Sequence, residues 1–291
     1  EKDADGVLNE LHNRELDFYR WFKDAETDPN QTLKLPLFHG GEPCTETVGM
    51  IVLEDFTGIT RICNDADYLS GFGMKLALDV VRQLAAIQCA YLSSDRELTN
   101  NIYRIDFSAP VHNCIKNIHK VDGLTEEMKS KLLEWVDPVT LFNIHADVPV
   151  EGISPTLIHC DLWPGNLLFH KEGTELGLLS IIDWQCFKIG NPLLDVASVI
   201  GESMNAVDRR AHKDVVLQAY VDEMSKGRSR FKRPFDMTIE KARILLSHAL
   251  KWPCVQLMFA VVTTTEEEHA ANSEESRVYE ERLRELLVDT I

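Results

Sequence analysis

Apolar side chains recur at helical spacing over residues 7–24, where Leu8, Leu11, Phe18, Tyr19 and Phe22 fall on one face. Glu15 lies inside that stripe. A carboxylate on a buried face is costly unless a cation or several donors meet it, so either the helix edge carries Glu15 to solvent or a partner meets it. Residues 35–55 read as a two-stranded unit. Leu35-Pro36-Leu37-Phe38 runs into the turn signal Gly40-Gly41-Glu42-Pro43, and Val48 to Leu53 is an apolar, β-branched run. The connector Glu54-Asp55-Phe56-Thr57-Gly58 is expected to mark a boundary between two lobes.

From about residue 71 the pattern is helical. Residues 71–93 carry Leu76, Leu78, Val81, Leu84, Ala85 and Tyr91 at helix-like positions. Residues 125–136 open on Thr125-Glu126-Glu127-Met128, with acids in the first turn, and Pro138 limits that helix. Further helices are expected over 206–225, 238–262 and 274–288, with Pro253 kinking or ending the one that begins near Thr238. The interruption is 156–184. Three short strands are expected there, Thr156–Ile158, Leu167–Phe169 and Leu178–Ile182, with a turn at Lys171-Glu172-Gly173-Thr174. The polar run Thr263–Ser276, including Glu266-Glu267-Glu268, reads as a loop or solvated helix end. The expected class is α+β, with two lobes in keeping with roughly 150 residues per unit. A small N-terminal lobe covers 1–56, and a mainly helical lobe covers 57–291 with a hairpin at 156–184.

Charge narrows the function. The sequence has 30 Lys+Arg against 47 Asp+Glu, a net charge of −17. That argues against a nucleic-acid binder and against a polybasic membrane anchor. A bound nucleotide remains compatible, because a local cation cluster or Mg²⁺ outweighs a distant negative surface. No apolar run is expected to reach the roughly 20 residues that span a bilayer, and the N-terminus has no signal-peptide core. Seven widely spaced cysteines without a Cys-x-x-Cys pair argue against a disulfide framework or zinc site. A reducing cytoplasm is the simplest compartment.

The sharpest constellation is His159-Cys160-Asp161-Leu162-Trp163-Pro164-Gly165-Asn166, followed by Ile181-Ile182-Asp183-Trp184. Asp161 follows a strand, Asn166 precedes the next, and Asp183 ends a third. Three polar groups thus gather at one end of a small sheet. One carboxylate could take a proton from a hydroxyl, while the other carboxylate and the amide oxygen are hard ligands suited to Mg²⁺. The spacing His-x-Asp-x-x-x-x-Asn is that of a phosphoryl-transfer loop.

Leu157 to Asp195 resembles the CHK kinase-like family, the choline-kinase-like and ecdysteroid-kinase-like small-molecule kinases related to aminoglycoside phosphotransferases. That family shows His-Gly-Asp-x-Trp-x-x-Asn, then Ile-Asp-Phe/Trp-Gln, then Pro-x-x-Asp-Leu/Val. The counterparts here are His159 to Asn166, Ile182-Asp183-Trp184-Gln185, and Pro192-Leu193-Leu194-Asp195-Val196. Asn13-Arg14-Glu15-Leu16-Asp17-Phe18-Tyr19 resembles the family's αC helix, and Val52-Leu53-Glu54-Asp55-Phe56 its hinge.

The resemblance implies a protein-kinase-like fold of the aminoglycoside phosphotransferase type, with ATP and Mg²⁺ as cofactors. It implies Asp161 as catalytic base, Asn166 and Asp183 as metal ligands, and His159 and Asp195 as supports of the catalytic loop. Glu15, Glu54, Asp55 and Phe56 would border the nucleotide, Glu15 through a lysine on a preceding strand. The implied acceptor is a hydroxyl of a small molecule, either a sterol-like or a choline-like alcohol. The lack of an Ala-Pro-Glu anchor after Asp183 favours a small acceptor over a protein.

Two departures matter. The family's Gly-rich loop and lysine precede its αC helix, whereas here only Glu1–Arg14 precede Glu15, and Lys2 lies too close to the helix. The small lobe is therefore expected to lack its first three strands, as a fragment or as a reduced relative, which keeps open a catalytically incomplete binding or scaffold protein. Cys160 stands where the family has Gly, a change tolerated if the backbone needs no positive φ. Gly71-Phe72-Gly73 follows no clear strand and is no phosphate loop. Trp135, Trp163, Trp184 and Trp252 are either core or part of a cage for a cationic alcohol. A metal hydrolase built on His159, Asp161 and Asp183 lacks further histidines at ligand spacing.

Overall fold

Helix α1 spans Ala4–Asp24 and buries Leu16, Phe18, Tyr19 and Trp21. The computed structural model describes residues 4–24, 33–45, 48–63, 67, 70–96, 98, 108–172, 177–263 and 273–291. Lys2, Gly173-Thr174 and Glu266-Glu267-Glu268 lie outside the described residues. The α1 helix rests on an antiparallel pair, β1 (Phe38–Glu42) and β2 (Met50–Leu53). Gly40 and Gly41, expected in a turn, lie inside β1 and pair with Val52 and Ile51. A Cβ on Gly41 would stand 2.5 Å from the Met50 carbonyl oxygen and 2.6 Å from Leu16 Cδ1. The missing side chain is what lets α1 lie against the hairpin. Asn13 fastens the two by exchanging hydrogen bonds with the Cys44 backbone, 2.9 Å from Nδ2 to the carbonyl and 2.6 Å from the N–H to Oδ1.

The single hairpin expected over 156–184 is instead two sheets. Strands β3 (Thr60–Arg61), β5 (Leu167–His170) and β6 (Leu178–Ile181) form one antiparallel sheet in the order β3-β5-β6. Strand β4 (Thr156–Ile158) pairs with β7 (Lys188–Gly190) in the other. The two-residue β3 and the three-residue β7 are too short to show a period of two. Gly190 is required where β7 passes the His145 carbonyl, since a Cβ would collide with it. The loop after β4 and the loop after β6 therefore come from different sheets and face each other.

Helices build the rest. α2 (Met74–Ser93) runs along α7 (Ala206–Gly227), with α3 (Ser108–Asn117), α4 (Glu126–Trp135), α5 (Pro138–Ala146) and α6 (Leu194–Ser198) between them in sequence. Thr125 caps α4 by accepting from the Met128 N–H at 3.2 Å. Pro138 does more than limit α4: it starts α5, where Asp137 accepts from the N–H groups of Val139 and Thr140.

α8 (Ile239–Ala249) stops at Leu250, and α9 (Lys251–Thr263) carries Pro253 in its first turn, as a proline break requires. α9 meets α3, α4, α5, α6, α8 and the last helix, α10 (Ser273–Thr290). Taken together, Ile239–Val262 is long and apolar enough to cross a membrane by length and composition, with hydropathy 1.4 in its most apolar window. This corrects the expectation that no such run exists. The run is apolar because it is central to the helical lobe: 61% of that window is buried inside the protein.

Candidate active site

The loop after β4 is held by one buried carboxylate. Asp195, in the first turn of α6, accepts from the His159 N–H at 2.7 Å and from the Cys160 N–H at 3.0 Å. Burial pushes its pKa up to about 6, against those two donors. Asp195 is itself placed by a core network: Tyr220 donates to Gln88 at 2.6 Å, and Gln88 donates to the Pro192 carbonyl at 3.0 Å.

His159 ties this loop to the next. Its Nδ1 accepts from the Asp161 N–H at 3.3 Å, so Nε2 carries the proton and donates to the Ile182 carbonyl at 2.9 Å. Burial lowers its pKa to about 4, which keeps the ring neutral. Asn166 closes the loop, its Nδ2 donating to the Asp161 carbonyl at 2.8 Å and lying 3.4 Å from the Asp161 carboxylate. The amide oxygen of Asn166 is left for another partner.

Cys160 has φ +70°. The condition under which a cysteine was expected to be harmless is therefore not met, because a left-handed residue there favours glycine. The strain lies next to Asp161 and is held by the Asp195 clamp.

Asp183 is the other left-handed non-glycine residue among the described residues, with φ +63°. It follows β6 and faces Asp161 closely enough that its charge, after burial, raises the Asp161 pKa. Burial raises the Asp183 pKa as well. The turn behind Asp183 is gripped by α1. Phe18 stacks on Trp184 at 4.1 Å with an interplanar angle of 9°, and Arg14 donates to the Phe187 carbonyl. Glu15 accepts from the Trp184 N–H, and its pKa is raised by burial and then by Asp183. That N–H and nearby His12 act in the opposite direction.

The connector after β2 places Glu54, Asp55 and Phe56 between the hairpin and β3. Glu54 takes the Leu37 N–H on its carboxylate at 3.2 Å and gives its own N–H to the Leu37 carbonyl at 2.8 Å. Asp55 accepts from the Thr57 N–H at 2.8 Å, and the Thr57 hydroxyl and then that N–H lower its pKa. The Phe56 carbonyl accepts from the Ile59 N–H at 3.2 Å. The acidic side chains of this segment thus shape the connector.

A family model described as DUF1679, "Uncharacterized oxidoreductase dhs-27", matches residues 2–290. The chain belongs to the DUF1679 family. This DUF1679 member has the protein-kinase-like fold of aminoglycoside phosphotransferases. It superposes on the GDP and kanamycin complex of APH(2")-IIia with a TM-score of 0.52 at 13% identity, over 100% of this chain and 86% of that one. The GDP complex of wild-type aminoglycoside 2'-phosphotransferase-IIIa gives 0.51 at 14% identity, over 100% and 85%. A 49-residue stretch is 43% identical to the 4-hydroxytryptamine kinase of Psilocybe cyanescens, spanning 16% of this chain and 14% of that kinase.

Two residues of this DUF1679 member matter to the site and were missed in the sequence. Glu202 is 7% exposed, on a π-helical turn over Val199–Ser203. Burial, and then the charge of Asp161, push its pKa up to about 8, opposed by Arg282. Its Oε2 is buried without a hydrogen-bond partner. The signal available in the sequence was an acid directly after Val199-Ile200-Gly201. Arg14 was visible only as the neighbour of Glu15. Of the four tryptophans considered for a cage, Trp135, Trp184 and Trp252 are buried in the core and only Trp163 is exposed, so the four do not form one.

Proposed function

We propose that this DUF1679 member is an ATP- and Mg²⁺-dependent phosphotransferase acting on a hydroxyl of a small molecule. The observation that carries the reading is the meeting of Asp161, Asn166 and Asp183 across two loops, over a rigid support of Asp195 and His159. The donor set fits Mg²⁺. One carboxylate and one amide oxygen suit an ion that keeps waters and phosphates as its other ligands. Among the described residues no cluster of three or more His, Cys, Asp or Glu forms, as a zinc site would need. The Asp183 charge raises the proton affinity of Asp161, and a divalent cation beside the two carboxylates would relieve that repulsion.

Asp183 and the Asn166 oxygen would hold the ion, and Mg·ATP when bound supplies the phosphoryl group and neutralises its oxygens. Asp161 orients the acceptor hydroxyl and takes its proton as that oxygen bonds to phosphorus and ADP leaves. Burial raises the Asp161 pKa, which strengthens it as a base. Neutral His159 keeps the Asp161 backbone in register with Ile182, next to Asp183. The dinucleotide fingerprint Gly-x-Gly-x-x-Gly, which an oxidoreductase of the Rossmann type would carry, does not occur in the sequence. The relative that phosphorylates 4-hydroxytryptamine supports a small hydroxylated acceptor. Seven free cysteines support a reducing, cytoplasmic compartment.

The test is phosphorus NMR of product from Mg·ATP and a panel of sterols, amino alcohols and phenols, with Asp161→Asn beside the wild type. Turnover is expected to fall ~1,000-fold in the variant. Unchanged turnover would overturn the assignment of the base. A second reading, a kinase-like protein that binds without turnover, is favoured by the left-handed backbone of Cys160 beside Asp161. Nucleotide binding with no product from any acceptor would select that reading.

A further inference from the structure

We infer that Trp163 is the platform on which the acceptor rests, and that the acceptor is a flat aryl alcohol rather than a saturated one. The inference deepens the phosphotransferase reading and rests on the placement of Asp161 as its base. The sequence has five tryptophans. Trp21, Trp135, Trp184 and Trp252 are buried, while Trp163 is 41% exposed. An indole is the largest apolar side chain, and exposing it beside a charged loop needs a reason.

The indole is also fixed. The Trp163 N–H donates to the Asp161 carbonyl at 3.2 Å, and its carbonyl accepts from the Asn166 N–H at 3.0 Å. Pro164 follows at the first position of the turn Pro164–Asn166. The six-membered ring lies directly over Gly165, where a Cβ would collide with it. Trp163 is therefore pinned on both sides of its backbone and along one ring face, two residues from the base. The residue keeps 41% of its surface exposed, and among the described residues no ring stacks on the indole.

A rigid, exposed aromatic face next to the group that must meet the acceptor hydroxyl selects for a flat π-system. Aromatic pairs gain from offset stacking beyond simple area burial, which a saturated ring of the same skeleton does not. The chemistry agrees, since a phenol-type hydroxyl titrates near ~10. A carboxylate base therefore draws its proton more readily than that of an aliphatic alcohol.

The test is calorimetric binding of 2-naphthol and of decahydro-2-naphthol to the full chain, in the wild type and in Trp163→Ala, Trp163→Phe, Gly165→Ala and Asp161→Asn. The wild type is expected to prefer 2-naphthol about ten-fold. Trp163→Ala should erase that preference and Trp163→Phe should keep most of it. Gly165→Ala, which lifts the indole from its seat, should weaken it. Asp161→Asn should keep the preference while losing turnover. Failure of the wild type to bind either probe, the absence of a preference, or a preference that survives Trp163→Ala would overturn the platform. A preference that depends on Trp163, together with full turnover in Asp161→Asn, would uphold the platform and sink the base assignment.

Discussion

The loop that carries Asp161 and the α1–hairpin unit meet at Asp183, yet they are built on opposite terms. The Asp161 loop is held by buried hydrogen bonds: two N–H groups on Asp195, the two ring nitrogens of His159, and the Asn166 amide. The hairpin beside α1 leaves Val48 at 78% exposure and Met50 at 51%. Its hold on the site runs through a few contacts to the turn behind Asp183, from Arg14, Glu15 and Phe18. On the proposed reading, proton transfer and metal placement would answer to different parts of the molecule: Asp161 is held from the helical lobe by Asp195 and His159, whereas the turn that carries Asp183 packs against α1.

The sharpest way to break this comparison is Asp195→Ala. It strands two buried N–H donors under a strained residue, and should cost about 4 kcal/mol in urea unfolding. A loss below ~1 kcal/mol would show that the loop is not held there. Next comes Phe18→Ala, which removes the stack on Trp184. It is expected to cost about 3 kcal/mol and to weaken Mg²⁺ dependence more than acceptor binding, read as separate half-saturation constants. Equal effects on both would erase the distinction between the two regions.

The pH dependence of stability sharpens the helical side. The folded pKa of Glu202, about 8, lies above its ordinary value of 4.5. The folded state thus holds that proton more tightly than the unfolded chain. Stability from this group is full below pH 4.5 and is lost as pH rises through about 8. Asp195 acts with the same sign, but its loss is largely complete above its folded value of about 6. Urea midpoints should therefore fall between about pH 6.5 and about pH 8 in the wild type and stay level in Glu202→Gln. A fall that persists in the variant would assign the slope elsewhere.

The smallest effect expected is at Cys160. With φ +70°, Gly there should be more stable than Ala by ~1 kcal/mol, the reverse of the usual order in helices.

Much of the fold was legible because long apolar periods dominate it. α2, α4, α8 and α10 carry one-sided apolar stripes, the apolar run of α9 is continuous, and Pro253 marks the break between α8 and α9. The strand pairing was not legible. β3 and β7 are too short to carry a pattern, and without β7 the sequence suggests one hairpin where there are two sheets. Gly41 reads as a turn residue because its reason for being glycine, the approach of Leu16 from α1, is a tertiary contact. At the site, the motif spacing points to Asp161, Asn166 and Asp183, and the backbone brings their loops together. Glu202 was hidden because its burial comes from tertiary packing, where Arg282 of α10 reaches the Glu202 carbonyl at 3.1 Å. The strain at Cys160 was hidden because a residue name carries no φ.

On the proposed reading, Asp183 and its neighbours form a nucleotide and divalent-cation site. The most direct measurement is calorimetric titration of Mg·ATP into this chain, with Asp183→Ala as the partner experiment. The account predicts binding in the wild type that is lost in Asp183→Ala and in the absence of Mg²⁺. Binding that is equal in both proteins, or absent from the wild type, would contradict it.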